Sequence, residues 1–404
     1  MMKKIIILLL LLNLSCYWNY LQATSIAYQS NEVVAENESF VRKLINTTKQ
    51  GFLVQDFYQE GMKYTDPYLL LNQQQLALNN FELDDYLNYH IDGVLIVWRS
   101  DGQKFLEANF LKGKPQGTWT YWNFLGGKSL EGNYQQGEKV GEWISWYNNQ
   151  RIKQRGSYIQ GKQQGHWQMW HTNGQQQYDE FYSNGLLNGT WQSWFYDGKS
   201  EITGQYKQGK KEGFWQGFYD SGDRFIHYYQ NGFEDGLWQR WYANGQKAYE
   251  GRYQQGKRHG IWQYWHDNGQ LSAKITYKQG EATGQVTRMH LNGQLAQQGS
   301  YVQGRRQGSW LAWYDNGEKR EQSNYQQGLQ QGLWTLWYPN GNKFIEANYQ
   351  EGEKQGKWLQ WYDNGKPLLT GEYNHNLANG TWQYWAEDGS KYKQQHYIKG
   401  VLQD

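Results

Sequence analysis

Gly141-Glu142-Trp143-Ile144-Ser145-Trp146-Tyr147 decides the fold, because its pattern returns along most of the chain. The opening Gly recurs at 93, 117, 141, 165, 189, 213, 236, 260, 284, 308, 332, 356 and 380, a period of 24 with one step of 23 after Gly213. Two positions later comes Trp in eleven of these thirteen units, with Leu95 and Val286 as the exceptions. Five positions later comes Trp again in eleven, with Phe218 and Met289 excepted, so only Trp18 of the 23 tryptophans lies outside the two rows. A second Gly follows in twelve units, usually as Asn-Gly or Asp-Gly (Asn173-Gly174, Asn244-Gly245). Then come an aromatic, as at Tyr134 and Tyr158, and a third Gly three residues on, replaced only by Asn376.

Each landmark has a backbone reason. Asn-Gly between two short runs is a hairpin signal, since both residues tolerate positive φ and primed turns match strand twist. Tyr-x-x-Gly supplies the second turn, and the runs between are rich in Trp, Tyr, Thr and Ile, as strands favour. The spacing therefore predicts an all-β fold: an elongated single-layer antiparallel meander of about thirteen 24-residue β-hairpin repeats, with a small mixed N-terminal cap. At ~4.8 Å per strand its 26 or so strands would extend on the order of 125 Å. Two positions before the tyrosine the residue is small in most units (Ala108, Gly132, Gly156, Gly204, Gly251, Gly299, Ser323, Ala347, Gly371), which predicts a Trp ring from the adjacent strand over the gap. The two Trp rows are three residues apart and face opposite sides in a regular strand, whereas a bulge would bring them to one side. The sequence leaves that choice open.

By length alone, 404 residues read as two or three domains, but the periodicity overrides this prior. A mean hydropathy of −0.98 would suggest disorder, yet 18% of residues are aromatic, so the apolar material sits in amphipathic rings. Lys+Arg (40) and Asp+Glu (38) nearly cancel, which argues against a nucleic-acid binder. A single Cys excludes an internal disulfide framework.

Residues 1–27 read as a signal peptide, with Lys3 and Lys4 ahead of the apolar run Ile5 to Leu12. Two processing routes fit: ordinary cleavage near Ser25-Ile26-Ala27, or lipidation of Cys16 after Leu14-Ser15, which would tether the chain to a membrane. Either implies an extracytoplasmic place: periplasmic, outer-membrane lipoprotein or secreted, in a bacterial host. Residues 28–92 carry ten acidic and four basic residues and read as a cap, with helices expected over 32–49 and 73–89. Within it Phe57-Tyr58-Gln59-Glu60-Gly61 echoes the repeat and suggests a decayed hairpin. The array proper spans 93–404.

Gly-x-Trp-x-x-Trp-Tyr-x-Asn-Gly followed by Tyr-x-x-Gly resembles the MORN repeat variant, the unit of the bacterial YwqK-type antitoxin family, over residues 93 to 400. The resemblance implies a β-hairpin array that binds other molecules and brings no catalytic residues. A signal peptide does not suit a cytosolic antitoxin; it suits an envelope protein, or an immunity-like protein that meets its toxin outside the membrane.

Chemistry has few singular positions on which to rest. His171, His266 and His290 occupy a slot that is usually Tyr, and His259 with His266 lacks the company a metal site needs. The chain reads as non-catalytic, without cofactor or metal. Three binding readings follow: a protein partner first, a glycan stacked on aromatic rows second, an anionic lipid third. Basic residues at the unit junctions, Lys257, Arg258, Arg305 and Arg306, are binding candidates, as are Arg288 and His290 in the unit that lacks both tryptophans. The first-row rings Trp119, Trp143, Trp167, Trp191, Trp238, Trp262, Trp310, Trp334, Trp358 and Trp382 read as structural.

Overall fold

A computed structural model describes residues 31–403, so the signal segment and Cys16 lie outside the described residues. Among the described residues are 32 strands, which follow one another as an antiparallel meander that does not close into a barrel. The chain divides into two compact units, one of residues 31–176 with 182–185, the other of 177–181 with 186–403.

The first unit holds the cap, which differs from the expected helices. Residues 32–49 form two strands, β1 (Glu32–Glu36) and β2 (Phe40–Thr47), and β2 pairs with β3 (Phe52–Tyr58). Val41, Leu44 and Ile45 fit either period, and pairing on both sides of β2 decides for the strand. Residues 73–89 give only a 3-10 turn and the single-turn helix α1 (Leu83–Tyr86). β4 (Tyr68–Leu70) then leads to β5 (Ile91–Trp98), the first strand of the array. The cap is thus mainly β. Leu44, Val54, Leu70, Leu76, Phe81 and Tyr86 form one buried cluster with Leu95, Leu106 and Trp119 of the first repeats.

The decayed hairpin is present. Tyr58 N–H donates to the Met62 carbonyl (2.8 Å) and Gly61 N–H to that of Tyr58 (2.9 Å), the pattern that Tyr147, Arg151 and Gln150 make in a regular repeat. Counted back from Tyr58, Phe57 and Val54 fall where the two tryptophans belong.

In the repeats the two turn types are exchanged relative to expectation. The Tyr-x-x-Gly connection carries positive φ at two consecutive residues, as at Gln136 (55°) and Gly137 (91°), with Gln135 paired to Glu138, so it is the two-residue primed turn. At Asn173-Gly174 only the Gly has positive φ (91°). The Asn instead uses its side chain: Asn173 Oδ1 accepts from Gln175 N–H at 2.9 Å, a local bond that favours Asn and Asp in turns.

Candidate binding surfaces

The first Trp row is spent on packing. A Cβ placed on Gly132 would lie 2.0 Å from the Trp143 ring, and one on Gly251 2.1 Å from that of Trp262, so the expected ring over the gap is present. The ladder is irregular there (Glu131 pairs with Ile144 but Asn133 with Val140), and the indole N–H of Trp143 donates to the Asn133 carbonyl at 3.2 Å. Wherever the residue beneath the ring, on the preceding strand, is Gly, the Trp is buried, as at Trp143, Trp167, Trp262, Trp310 and Trp382; Trp119, over Ala108 and under the cap, is buried too. Trp191, Trp238, Trp334 and Trp358 face Glu180, His227, Ser323 and Ala347 and stay half-buried. Ring follows ring: Tyr134 lies 5.1 Å from Trp143 in one unit, and Tyr253 5.2 Å from Trp262 in the other.

Two of the sequence-predicted cations belong to this face. The Arg258 guanidinium lies 4.9 Å from the Trp262 centroid and donates to Tyr277 Oη at 3.3 Å. Arg306 repeats this on Trp310 (4.4 Å) and Tyr325 Oη (3.0 Å). Burial beneath cations and tyrosines is packing of the kind that a desolvated ring favours. Lys257 and Arg305, one residue earlier, are exposed at the hairpin tips.

The second Trp row faces the other way. Trp262 and Tyr264 stack at 6.1 Å as same-face neighbours two apart, which puts Trp265 on the opposite face. These rings are half-buried, most with a cation above, such as Lys247 over Trp265 (5.4 Å) and Lys319 over Trp337 (5.2 Å). The face opposite the first row also carries open grooves. One, of about 500 Å³, is lined by Leu237, Arg252, His259, Ile261 and Lys274.

The irregular units are compensated. Val286 replaces Trp, and the small residue opposite becomes Ile275; the two pack with Trp310 in one buried cluster. Arg288 is exposed, whereas His290 Nε2 donates to the Trp313 carbonyl at 2.8 Å. That bond is the one Tyr314 Oη makes to Trp337 (2.7 Å), so His290 is a tie between successive hairpins; His266 does the same to Met289 (3.1 Å). His259 and His266 sit at opposite ends of strand Lys257–Trp265 and do not converge. The one-residue deletion after Gly213 removes a bulge: strand Lys210–Phe218 pairs with Arg224–Gln230 without a register shift. His227 there lies flat on Trp238 (3.6 Å, 12°) with Nε2 3.2 Å from Tyr249 Oη. Burial, with Lys211 and Arg240 nearby, lowers its pKa to about 3.

Sequence reasoning missed a buried polar cluster in the cap. Arg42 and Asp56 form a two-pronged ion pair (2.8 and 3.2 Å), both fully buried. Tyr68 and Tyr86 hydroxyls donate to Asp56 Oδ2 at 2.9 and 2.6 Å, and burial beside Asp56 keeps both phenols protonated by raising their pKa well above the usual value. The Arg42 side chain also reaches the Gln75 carbonyl (3.1 Å) and packs over Phe81. Nothing in the local pattern around Arg42 marks it, because its partners lie 14 and 33 residues away.

Five segments match the MORN repeat variant: residues 234–255, 258–279, 306–327, 330–351 and 354–375. No curated protein matches the chain. Among solved structures, a GtfA/B complex bound to UDP and GlcNAc shares 19% identity over 28% of this chain and 22% of its own, with a TM-score of 0.14. TcdB2-TccC3 shares 9% over 89% and 21% (TM-score 0.16), and the Photorhabdus luminescens Tc holotoxin pore 10% over 89% and 20% (TM-score 0.16). The chain thus spans about a fifth of the length of the solved chains it matches.

Proposed function

We propose that this array of MORN repeat variant hairpins is a non-catalytic, exported scaffold that binds a polypeptide in the cell envelope, as an immunity-like or antitoxin-like protein would. The observation that carries the reading is how the chemistry-bearing side chains are used. Arg258 and Arg306 lie over rings, His266 and His290 tie hairpins together, and His227 is buried against Trp238. What the array offers outward is a repeated surface rather than one singular site: exposed Phe214, Ile261 and Leu333 on the face opposite the first Trp row, beside the open grooves. Spaced apolar anchors among polar residues are the make-up of protein interfaces.

Glycan binding is the second reading. Its support is the second Trp row, half-buried under Lys247 and Lys319, because a sugar could stack where those cations lie. The first row offers little to it, since most of those rings are buried. The test is affinity capture with tagged residues 28–404 from the host's envelope extract. A near-stoichiometric polypeptide supports the scaffold, and a secreted toxin among the retained proteins supports the immunity version. Glycan or lipid retained without polypeptide overturns it.

A further inference from the structure

In the second unit the two edges of the sheet carry charge of opposite sign in the same rhythm. The edge of primed turns places Lys210, Lys257 and Arg305 directly after the turn Gly of alternate hairpins. The edge of Asn-Gly turns places Asp220, Asp267, Asp315 and Asp363 at the second turn residue of alternate hairpins. All seven are exposed, and among the described residues no salt bridge involves any of their side chains. Alternate hairpins are four strands apart, so both rows repeat at about 19 Å. The intervening tips are partly apolar, with Phe233 and Leu329 on the basic edge and Ala243, Leu291 and Pro339 on the acidic one.

We infer that the basic edge docks on the acidic edge of a second copy of this chain, side by side, with the two charge rows in register. Charge complementarity at a shared spacing selects this occupant: a row of three cations every ~19 Å matches a row of four carboxylates every ~19 Å on another copy of the same array. Because each copy keeps one free edge of each sign, the contact is heterologous and adds further copies rather than closing as a dimer. Glu281, between Lys257 and Arg305, weakens the basic row at one tip, and Glu353, one step of the series beyond Arg305, ends it, so the contact rests on three cations and is correspondingly salt-sensitive. The inference names a partner for the edges alone, and its failure leaves the capture of a foreign polypeptide by the faces untouched.

Sedimentation velocity on the purified full chain tests it. At low ionic strength the weight-average sedimentation coefficient rises with concentration, and the association constant falls by about tenfold or more at ~0.5 M salt, where the Debye length is only a few Å. The triple variant Lys210→Glu, Lys257→Glu, Arg305→Glu stays monomeric alone, as does Asp220→Lys, Asp267→Lys, Asp315→Lys, and mixing the two restores association. A single concentration-independent species for the native chain at low salt overturns the proposal. So does association that salt and both variants leave unchanged. Should either variant fail to fold, the native chain's salt dependence decides.

Discussion

At the residue scale, stability rests on matched pairs across neighbouring hairpins: nothing under a large ring, or two medium side chains. Gly251 under Trp262 is the first kind and Ile275 against Val286 the second. Gly251→Ala should therefore destabilise by about 1–3 kcal/mol through overpacking, measured by urea unfolding. Gly251→Ile combined with Trp262→Val should recover much of that loss, giving a double-mutant coupling that independent sites would lack. The pair was half legible in sequence: the run of small residues predicts a covering ring, but Ile275 becomes meaningful only once Val286 is seen beside it. His227 makes a second residue-scale expectation. It is neutral in the fold with a pKa near 3, against about 6.5 unfolded. Below pH 6.5 the unfolded chain binds a proton the folded chain refuses, so stability is full above pH 6.5 and falls as pH drops toward 3. Between pH 7 and 4.5 the native chain should lose about 2–3 kcal/mol more than His227→Phe in denaturant melts, and equal losses would contradict the assignment.

At the scale of elements, the cap and the turns are where sequence and structure part. A helix is the expectation for residues 32–49, yet they form a hairpin whose β2 is held by β3 and by the buried Arg42–Asp56 pair, partners that lie beyond that window. The turn exchange has a different cause. Asn-Gly suits a primed turn by backbone tolerance, but here Asn gains more from its side chain. Asn244 Oδ1 accepts from Gln246 N–H (3.0 Å) while Nδ2 donates to the Asp267 carbonyl of the next hairpin (2.7 Å). The periodicity itself, set by short-range turns and rings, was wholly legible. Because Asp56 holds Arg42 and two tyrosine hydroxyls, Asp56→Ala leaves a buried guanidinium uncompensated. It should cost about 3–5 kcal/mol and release the cap first, read as loss of hydrogen-exchange protection in 31–91 while strands beyond 186 keep theirs. Loss of protection throughout would mean that cap and array fold as one.

At the scale of the whole molecule, the array should behave as a sum of hairpins and the interfaces between them, so a whole period can be removed where the pairing across the new junction is preserved. Residues 236–259 are one 24-residue period. Without them His227 meets Trp262 in place of Trp238, and both are tryptophans in the same slot. Residues 260–283 are also one period, but their loss sets Gly251 opposite Val286, and the volume that Trp262 fills stays empty. The two deletions are equal in length and in strand count; the first gives up the Arg240–Asp223 ion pair and the Tyr249 hydroxyl beside His227, and the second empties the site of a buried ring. Deletion of 236–259 should leave a folded chain that loses about 1–2 kcal/mol, the order of cost for the partly exposed Arg240–Asp223 pair and the Tyr249–His227 bond. Deletion of 260–283 should be destabilised further by about 2–4 kcal/mol, the order of cost for emptying a buried aromatic site. Restoring the ring with Val286→Trp in the second deletion should return most of that difference. Equal midpoints for the two deletions would mean that the ladder of main-chain hydrogen bonds, and not the ring over its glycine, joins one hairpin to the next.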